Sequence, residues 1–308
     1  MKVAVIGAGA VGGYYGGRLA AAGNEVVFLA RGKTLTALRE GPLRVTSIEG
    51  DFEVGVHATD DPSTIGLVEA VLVAVKAWQL DDAAAAINKM GSPDSIVVPF
   101  QNGMEAPDNL AALIGPGRVT GGLCRIVAKT LRPGAIDHFW AEPSVSIGQL
   151  APLKKPERLA QLRDAFLAAN VRCDIPADIA RAMWTKYLFI TPWGSLGAVT
   201  GLPVGPIRSD PAGRARLIQA LEELAAVADA KGCDLGGEAV TRTLAVLDGL
   251  PPDTTSSMQR DIMAGRPSEL ETQTGAVVRF GRELGVPTPV HEAIYSELLP
   301  KEHVTRKA

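Results

Sequence analysis

Cysteine is scarce: Cys124, Cys173 and Cys233 are the only three in 308 residues. An odd number so widely spaced makes neither a disulfide framework nor a metal motif, and it fits a reducing, cytoplasmic setting. Histidine is equally sparse. His57, His138, His291 and His303 are scattered along the chain, so no metal site is expected. An excess of charge of one sign is missing too. The 31 Lys and Arg against 34 Asp and Glu leave a net charge of −3, which offers no basic surface to nucleic acid. Long apolar runs are absent. No stretch of about 18 residues is free of a charge or a breaker, so no membrane span is expected. The apolar start of the chain has only Lys2 as a positive leader and six glycines within its first seventeen residues, which argues against a signal peptide. With 46% hydrophobic and 21% charged residues, the composition is that of a globular chain with ample core, long enough for one large or two medium domains.

What is present begins at once. Residues 3–6 are a continuous apolar run of the kind that forms a buried parallel strand. The run ends in Gly7-x-Gly9-x-x-Gly12, and residues 14–22 read as a helix. Strand, glycine turn and helix in that order form the dinucleotide fingerprint in the context it needs. Gly7 permits the tight turn, Gly9 lets backbone approach a pyrophosphate, and Gly12 lets helix and strand pack closely. The helix start at Ala10, Val11 and Gly12 offers unpaired N–H groups and a positive dipole end to the phosphates. Residues 24–30 read as the second parallel strand. Its end carries Arg31-Gly32-Lys33 where an NAD site would carry an acid for the ribose hydroxyl. A guanidinium there suits a 2′-phosphate, so NADP(H) is favoured over NAD.

Residues 43–48 and 52–57 alternate around Glu49-Gly50-Asp51 and read as a hairpin inserted into the sheet. Residues 68–75 and 95–100 are further buried strands, followed by helices over 81–90 and 105–114. Ligands of open parallel sheets sit beyond the carboxyl ends of the strands. Lys76 and Asn102, at two of those ends, are therefore candidates to meet cofactor or substrate, while Trp78 reads as a packing residue. Residues 118–129, 135–139 and 144–147 read as strands finishing the sheet, 156–170 as a helix and 171–175 as a last extended piece. Beyond Pro176 the period is helical throughout. The fold class expected is α/β: a Rossmann-type NADP-binding domain over residues 1–176 and an all-helical substrate and catalytic domain over 177–308. A first long helix over 178–199 should kink or break at Pro192 and Gly194. The stripe Leu217, Ala220, Leu221, Leu224, Val227 and Ala228 marks another helix, and it serves either an internal core or a homodimer. A helix over 269–284 follows, and the polar tail from Lys301 reads as frayed.

Two places in the helical part could carry chemistry. Lys186 lies in an otherwise apolar helix and could protonate a carbonyl oxygen, although a snorkelling surface lysine is the plainer reading. Ser256 and Ser257 open a helix, where hydroxyls either cap it or bind a carboxylate. Glu269 opens the next helix, where an acid is favoured by the dipole, or else it orients Lys186.

These motifs together resemble the ketopantoate reductase (2-dehydropantoate 2-reductase) family nearly end to end. The resemblance rests on Gly7-x-Gly9-x-x-Gly12, Arg31, Val75-Lys76-Ala77-Trp78-Gln79, Gln101-Asn102-Gly103-Met104, Trp184-x-Lys186 and Ser257-Met258-x-x-Asp261-Ile262 leading to Glu269. It implies NADPH-dependent reduction of a 2-oxo acid to a 2-hydroxy acid, as in the ketopantoate-to-pantoate step of pantothenate biosynthesis. It also implies Lys186 as general acid, Glu269 as its supporting carboxylate, Asn102 and Ser257 as substrate contacts, and Lys76 where cofactor and substrate meet. The pantoate-forming members typically carry asparagines four and eight residues after the lysine. Here those positions are Ile190 and Gly194, and Ser195 sits about 100° around the helix. Losing two amides from a site that reads hydroxyls costs selectivity for them, which points to a bulkier or more apolar 2-oxo acid. Three expectations thus stand side by side: pantoate formation, turnover of a different 2-oxo or 2-hydroxy acid, and a non-catalytic NADP-binding sensor.

Overall fold

The computed structural model describes residues 1–307. The chain separates into two units. The first comprises Met1–Gln101 and Ala106–Ile179, and the second comprises Asn102–Glu105 together with the chain from Ala180 onward.

The first unit is built of β1 (Lys2–Ile6), α1 (Ala10–Ala21), β2 (Glu25–Leu29), α2 (Gly32–Glu40), β3 (Leu43–Ser47), β4 (Phe52–Val54), β5 (His57–Thr59), β6 (Ala70–Val73), α3 (Leu80–Lys89), β7 (Ile96–Pro99), α4 (Ala106–Ile114), β8 (Gly121–Arg132), β9 (Ala135–Gly148), α5 (Glu157–Ala168) and β10 (Arg172–Asp174). One sheet has the order β5-β2-β1-β6-β7, and its paired strands are all parallel. β1 beyond Lys2 and all of β6 and β7 are buried, which is why these segments are unbroken apolar runs. The chain steps one way from β1 to β2 and the other way to β6, and this reversal opens the ligand crevice of such sheets.

The alternating segments do not join that sheet. β3 and β4 pair antiparallel, β3 runs parallel to β9, and β8 and β10 flank β9, so a second sheet forms. A one-faced strand such as β3, buried at every other residue, has no place inside a sheet covered on both sides. Helix α1 lies between the two sheets, and its glycines make that possible. A Cβ on Gly16 would meet the Phe28 ring at 2.6 Å, and one on Gly17 would meet Leu43 at 2.8 Å.

The second unit holds α6 (Ile179–Thr200, whose first residue belongs to the first unit), α7 (Val204–Ser209), α8 (Pro211–Ala230), α9 (Ala239–Asp248), α10 (Ser257–Met263), α11 (Ala276–Leu284) and α12 (Pro289–Lys307). The α8 stripe is fully buried in the unit's own core, with Trp184, Tyr187 and Leu188 of α6 in the same cluster. Glu223 of α8 accepts from the N–H groups of Val290 and His291 at 2.8 and 3.1 Å, and from the His291 ring at 2.7 Å, so it caps α12.

The break expected near Pro192 and the frayed tail are not found in this unit. Helix α6 is one continuous helix through Pro192 and Gly194, because every residue from 191 to 198 is buried and that packing offsets the hydrogen bond the proline lacks. The tail is not frayed. Helix α12 continues past Pro300, and Glu302, 5% exposed, accepts from the Ser268 N–H at 2.9 Å and hydroxyl at 2.7 Å. Arg306 pairs with Glu302 at 2.7 Å and donates to the Ser268 carbonyl at 2.8 Å. Among the described residues no helix is long and apolar enough to cross a membrane.

Candidate active site

In the first unit the glycine turn has the shape a dinucleotide needs. Gly7 has φ +99° and donates its N–H to Leu29 at 3.2 Å, and a Cβ there would strike the backbone of Ala74 and Val75 at 2.9 Å. The turn after β1 is thus pressed against the chain leaving β6. A Cβ on Gly12 would lie 1.9 Å from the Gly7 carbonyl oxygen, so this position admits no side chain. Gly9 is different: it is exposed, and nothing lies within 4 Å of a Cβ built on it. Gly9 is the N-cap residue of α1, which has no side-chain cap and no acid in its first turn. The first N–H groups of a helix have no partner within it, so those of Ala10, Val11 and Gly12, at a start with no side-chain cap, suit a pyrophosphate.

Arg31 is the N-cap residue of α2, with 71% of its side chain exposed, and it pairs with Asp82 at 3.3 Å. An exposed pair of this kind is worth at most about 1 kcal/mol, so an anion can compete for the guanidinium. Lys76 lies three residues beyond the end of β6. Its N–H donates to Gln79 at 3.3 Å and its ammonium lies 5.9 Å from the centre of the Trp78 ring. Trp78 is 41% exposed and is not the packing residue that its apolar character suggests. Gln101, buried at the end of β7, donates to the carbonyls of Val73 and Val75 at 3.1 and 2.7 Å and so fixes the strand end that carries Lys76.

In the second unit the structure gathers Asn102 and Glu269. The segment Asn102–Glu105 groups with the helices although it follows β7 in sequence. Gly103 has φ +99°, and a Cβ there would lie 2.4 Å from the Thr272 carbonyl oxygen. Glu105 accepts from Arg279 at 2.8 Å. With its neighbours so held, Asn102 donates to Glu269 Oε2 at 3.3 Å. Glu269 is 7% exposed and takes a second donor on the same oxygen, Gln273 Nε2 at 3.4 Å. The helix expected to open at Glu269 starts as a wide π-turn over Glu271–Gly275, where the Gly275 N–H bonds the Leu270 carbonyl at 2.9 Å.

Lys186 is half-buried on α6. The next residue, Tyr187, is buried and donates to the Gln273 carbonyl at 2.5 Å, which ties the helix of the lysine to the π-turn after Glu269. Burial is the main reason the Tyr187 hydroxyl is pushed well above its ordinary pKa, so it serves as a fixed donor. Ser256 caps α10 by accepting the Gln259 N–H at 3.1 Å, and Ser257 is the first helical residue. Lys186, Ile190 and Gly194 share one face of α6. A Cβ on Gly194 would meet Ser256 Oγ at 3.0 Å and Cβ at 3.2 Å, so the missing side chain lets the cap of α10 lie against α6. Ile190 packs on the apolar core, and Ser195 does not stand in for an amide, because its hydroxyl is buried and bonded to Thr274 at 2.7 Å.

Sequence reasoning missed Gln273, Tyr187 and the tail pair Glu302 and Arg306. The available signal for Gln273 was an amide four residues after Glu269, the spacing that puts two side chains on one helix face. Nothing local marked the other three.

The family described as Ketopantoate reductase PanE/ApbA matches residues 3–152, and its C-terminal counterpart matches residues 178–302. The chain is 29% identical over 298 residues to the "Uncharacterized oxidoreductase YkpB" of Bacillus subtilis (strain 168), covering 97% of this chain and 98% of that protein. The crystal structure of a PanE/ApbA family ketopantoate reductase from Ralstonia eutropha JMP134 superposes with a TM-score of 0.90 at 30% identity, over 99% of this chain and 100% of that one. A D-mandelate dehydrogenase solved with NADH and anilino(oxo)acetate shares the fold, with a TM-score of 0.90 at 21% identity and 99% of each chain covered.

Proposed function

The chain belongs to the ketopantoate reductase family of oxidoreductases, and from that premise we propose that it reduces a 2-oxo acid to the 2-hydroxy acid with NADPH. The observation that carries this reading is Glu269, a buried carboxylate held on one oxygen by the amides of Asn102 and Gln273. A carboxylate so placed has a use beside a lysine acid.

The residues of the glycine turn, with Arg31 for a 2′-phosphate, would hold the cofactor. When bound, its reduced nicotinamide supplies the hydride. The Lys186 ammonium gives a proton to the carbonyl oxygen as the carbon is reduced, and the lysine regains a proton from water. Such assistance is typically worth roughly 10²–10⁴-fold. Glu269 orients the ammonium. Asn102 steadies Glu269 through its Nδ2, which leaves its carbonyl oxygen to accept from a substrate hydroxyl or a ribose. Ser257, at the start of α10, donates to the substrate carboxylate. Lys76 adds a positive charge at the end of β6.

Ketopantoate is the first substrate to test. A second reading, a more apolar 2-oxo acid, is favoured by one observation: the face of α6 that bears Lys186 continues with Ile190 and with a Gly194 already covered by Ser256. Neither position offers a hydrogen bond to a substrate hydroxyl. Steady-state rates on ketopantoate and on branched and aromatic 2-oxo acids, with NADPH and NADH side by side, separate the readings. Selective turnover of ketopantoate excludes the second. Equal use of the two cofactors removes the role given to Arg31. No oxidation of either cofactor by any 2-oxo acid would leave a nucleotide-binding sensor.

A further inference from the structure

We propose that Gln273 is a positioning residue that holds the Glu269 carboxylate in its working orientation. The inference rests on the reductase reading above. Gln273 is 1% exposed, and its two ends do different things. Its side-chain amide donates to Glu269 Oε2, while its backbone carbonyl accepts from Tyr187, the neighbour of Lys186. One residue therefore touches both the supporting carboxylate and the helix that carries the acid. Gln273 lies four residues after Glu269 and its N–H bonds the Glu269 carbonyl at 2.9 Å, so the two side chains share one helix face. The i→i−5 bond from Gly275 to Leu270 widens the turn that carries Gln273, and such single π-turns are frequent at functional sites. Gly275 is held to glycine by the Tyr295 ring, 2.8 Å from where its Cβ would be.

Gln273 is also poorly explained by stability. Its Oε1 is buried with no hydrogen-bond partner among the described residues. A buried polar atom left unpaired is unfavourable, and an apolar side chain of the same length removes it. A residue kept for packing would be methionine or leucine here. The asymmetry, one amide end bonded to the carboxylate and the other unpaired, fits a group retained for what it does to Glu269. Both donors to Oε2 lie at the long end of the hydrogen-bond range and converge on one oxygen, so removing either lets the carboxylate turn.

The test is a double-mutant cycle on the full chain with Gln273→Met, Glu269→Gln and the pair, assayed on the 2-oxo acid that the wild type uses best. The single Gln273→Met change should lower kcat about tenfold, the scale of one hydrogen bond to a charged group. KM and NADPH affinity should stay within about twofold, and the melting temperature should not fall. In the Glu269→Gln background the same change should move the residual kcat less than about twofold, because no carboxylate remains to be held. An equal fold loss on both backgrounds, a loss that tracks a lower melting temperature, or no loss at all overturns the role of Gln273 and leaves the reductase reading standing. A wild type that reduces no 2-oxo acid overturns both.

Discussion

Gly103→Ala is the substitution in which backbone strain, packing and catalysis meet. Gly103 sits at φ +99°, where a side chain costs on the order of 1–3 kcal/mol. Its Cβ would also lie 2.4 Å from the Thr272 carbonyl, a backbone atom of the π-turn that no rotamer change can move. Overpacking of that kind costs roughly 1–3 kcal/mol more. If the segment holds its place, about 2–6 kcal/mol is lost, and at roughly 2–4 °C per kcal/mol the melting temperature should fall by about 4–24 °C. If the segment yields, the loss is smaller, but Asn102 leaves Glu269 and kcat falls instead. Thermal melting and steady-state kinetics on the same preparation read both outcomes. Gly23→Ala is the control, since Gly23 has φ +85° and nothing within 4 Å of its Cβ, so it should lose only the strain part. A Gly103→Ala protein with wild-type melting and wild-type kcat would refute the reasoning.

Other changes follow from the same geometry. Gly9→Ala meets no atom and should melt like the wild type while binding NADPH at least tenfold more weakly, whereas Gly12→Ala, 1.9 Å from a backbone oxygen, should lose stability as well; calorimetry and cofactor titration separate the two. Glu302→Ala leaves the Ser268 N–H and hydroxyl buried without their acceptor and should cost about 1–3 kcal/mol by urea unfolding, with an unchanged midpoint counting against a docked tail. Burial pushes the Cys173 thiol up to about 12 and, as the largest cause, raises the Tyr15 and Tyr187 hydroxyls well above their ordinary value of 10.0. In the unfolded chain these groups ionise from about pH 9 upward, so there the folded state binds more protons and stability falls as pH rises toward 12. Each group contributes up to about 1.4 kcal/mol per pH unit, and a urea midpoint that stays flat from about pH 8 to 11 would contradict this.

The parallel strands were legible because a strand covered on both faces must be a continuous apolar run, and β1, β6 and β7 are. The glycine turn was legible because steric demands at Gly7 and Gly12 leave no other residue type. Alternation in β3 announced a one-faced strand but not which sheet it would join, since that pairing depends on β9, about ninety residues further on. The tail read as frayed because its residues are polar. Glu302 and Arg306 are polar toward Ser268, a partner 34 and 38 residues earlier that no local pattern reveals. Pro192 was given its usual effect because the burial that offsets it is a property of the assembled unit. The π-turn was invisible for the same reason: it exists where Gly103, Tyr187 and Tyr295 press on it. Lys186 and Glu269 were suggested by resemblance, and composition alone favoured a surface lysine and a helix-opening acid.

In the proposed reaction Lys186 supplies the proton to the 2-oxo acid. Lys186→Ala removes that proton donor, and kcat and NADPH affinity are to be measured on one preparation. kcat should fall by roughly 10²–10⁴-fold while NADPH binds within about twofold of the wild type. Turnover within a few-fold of the wild type would contradict it.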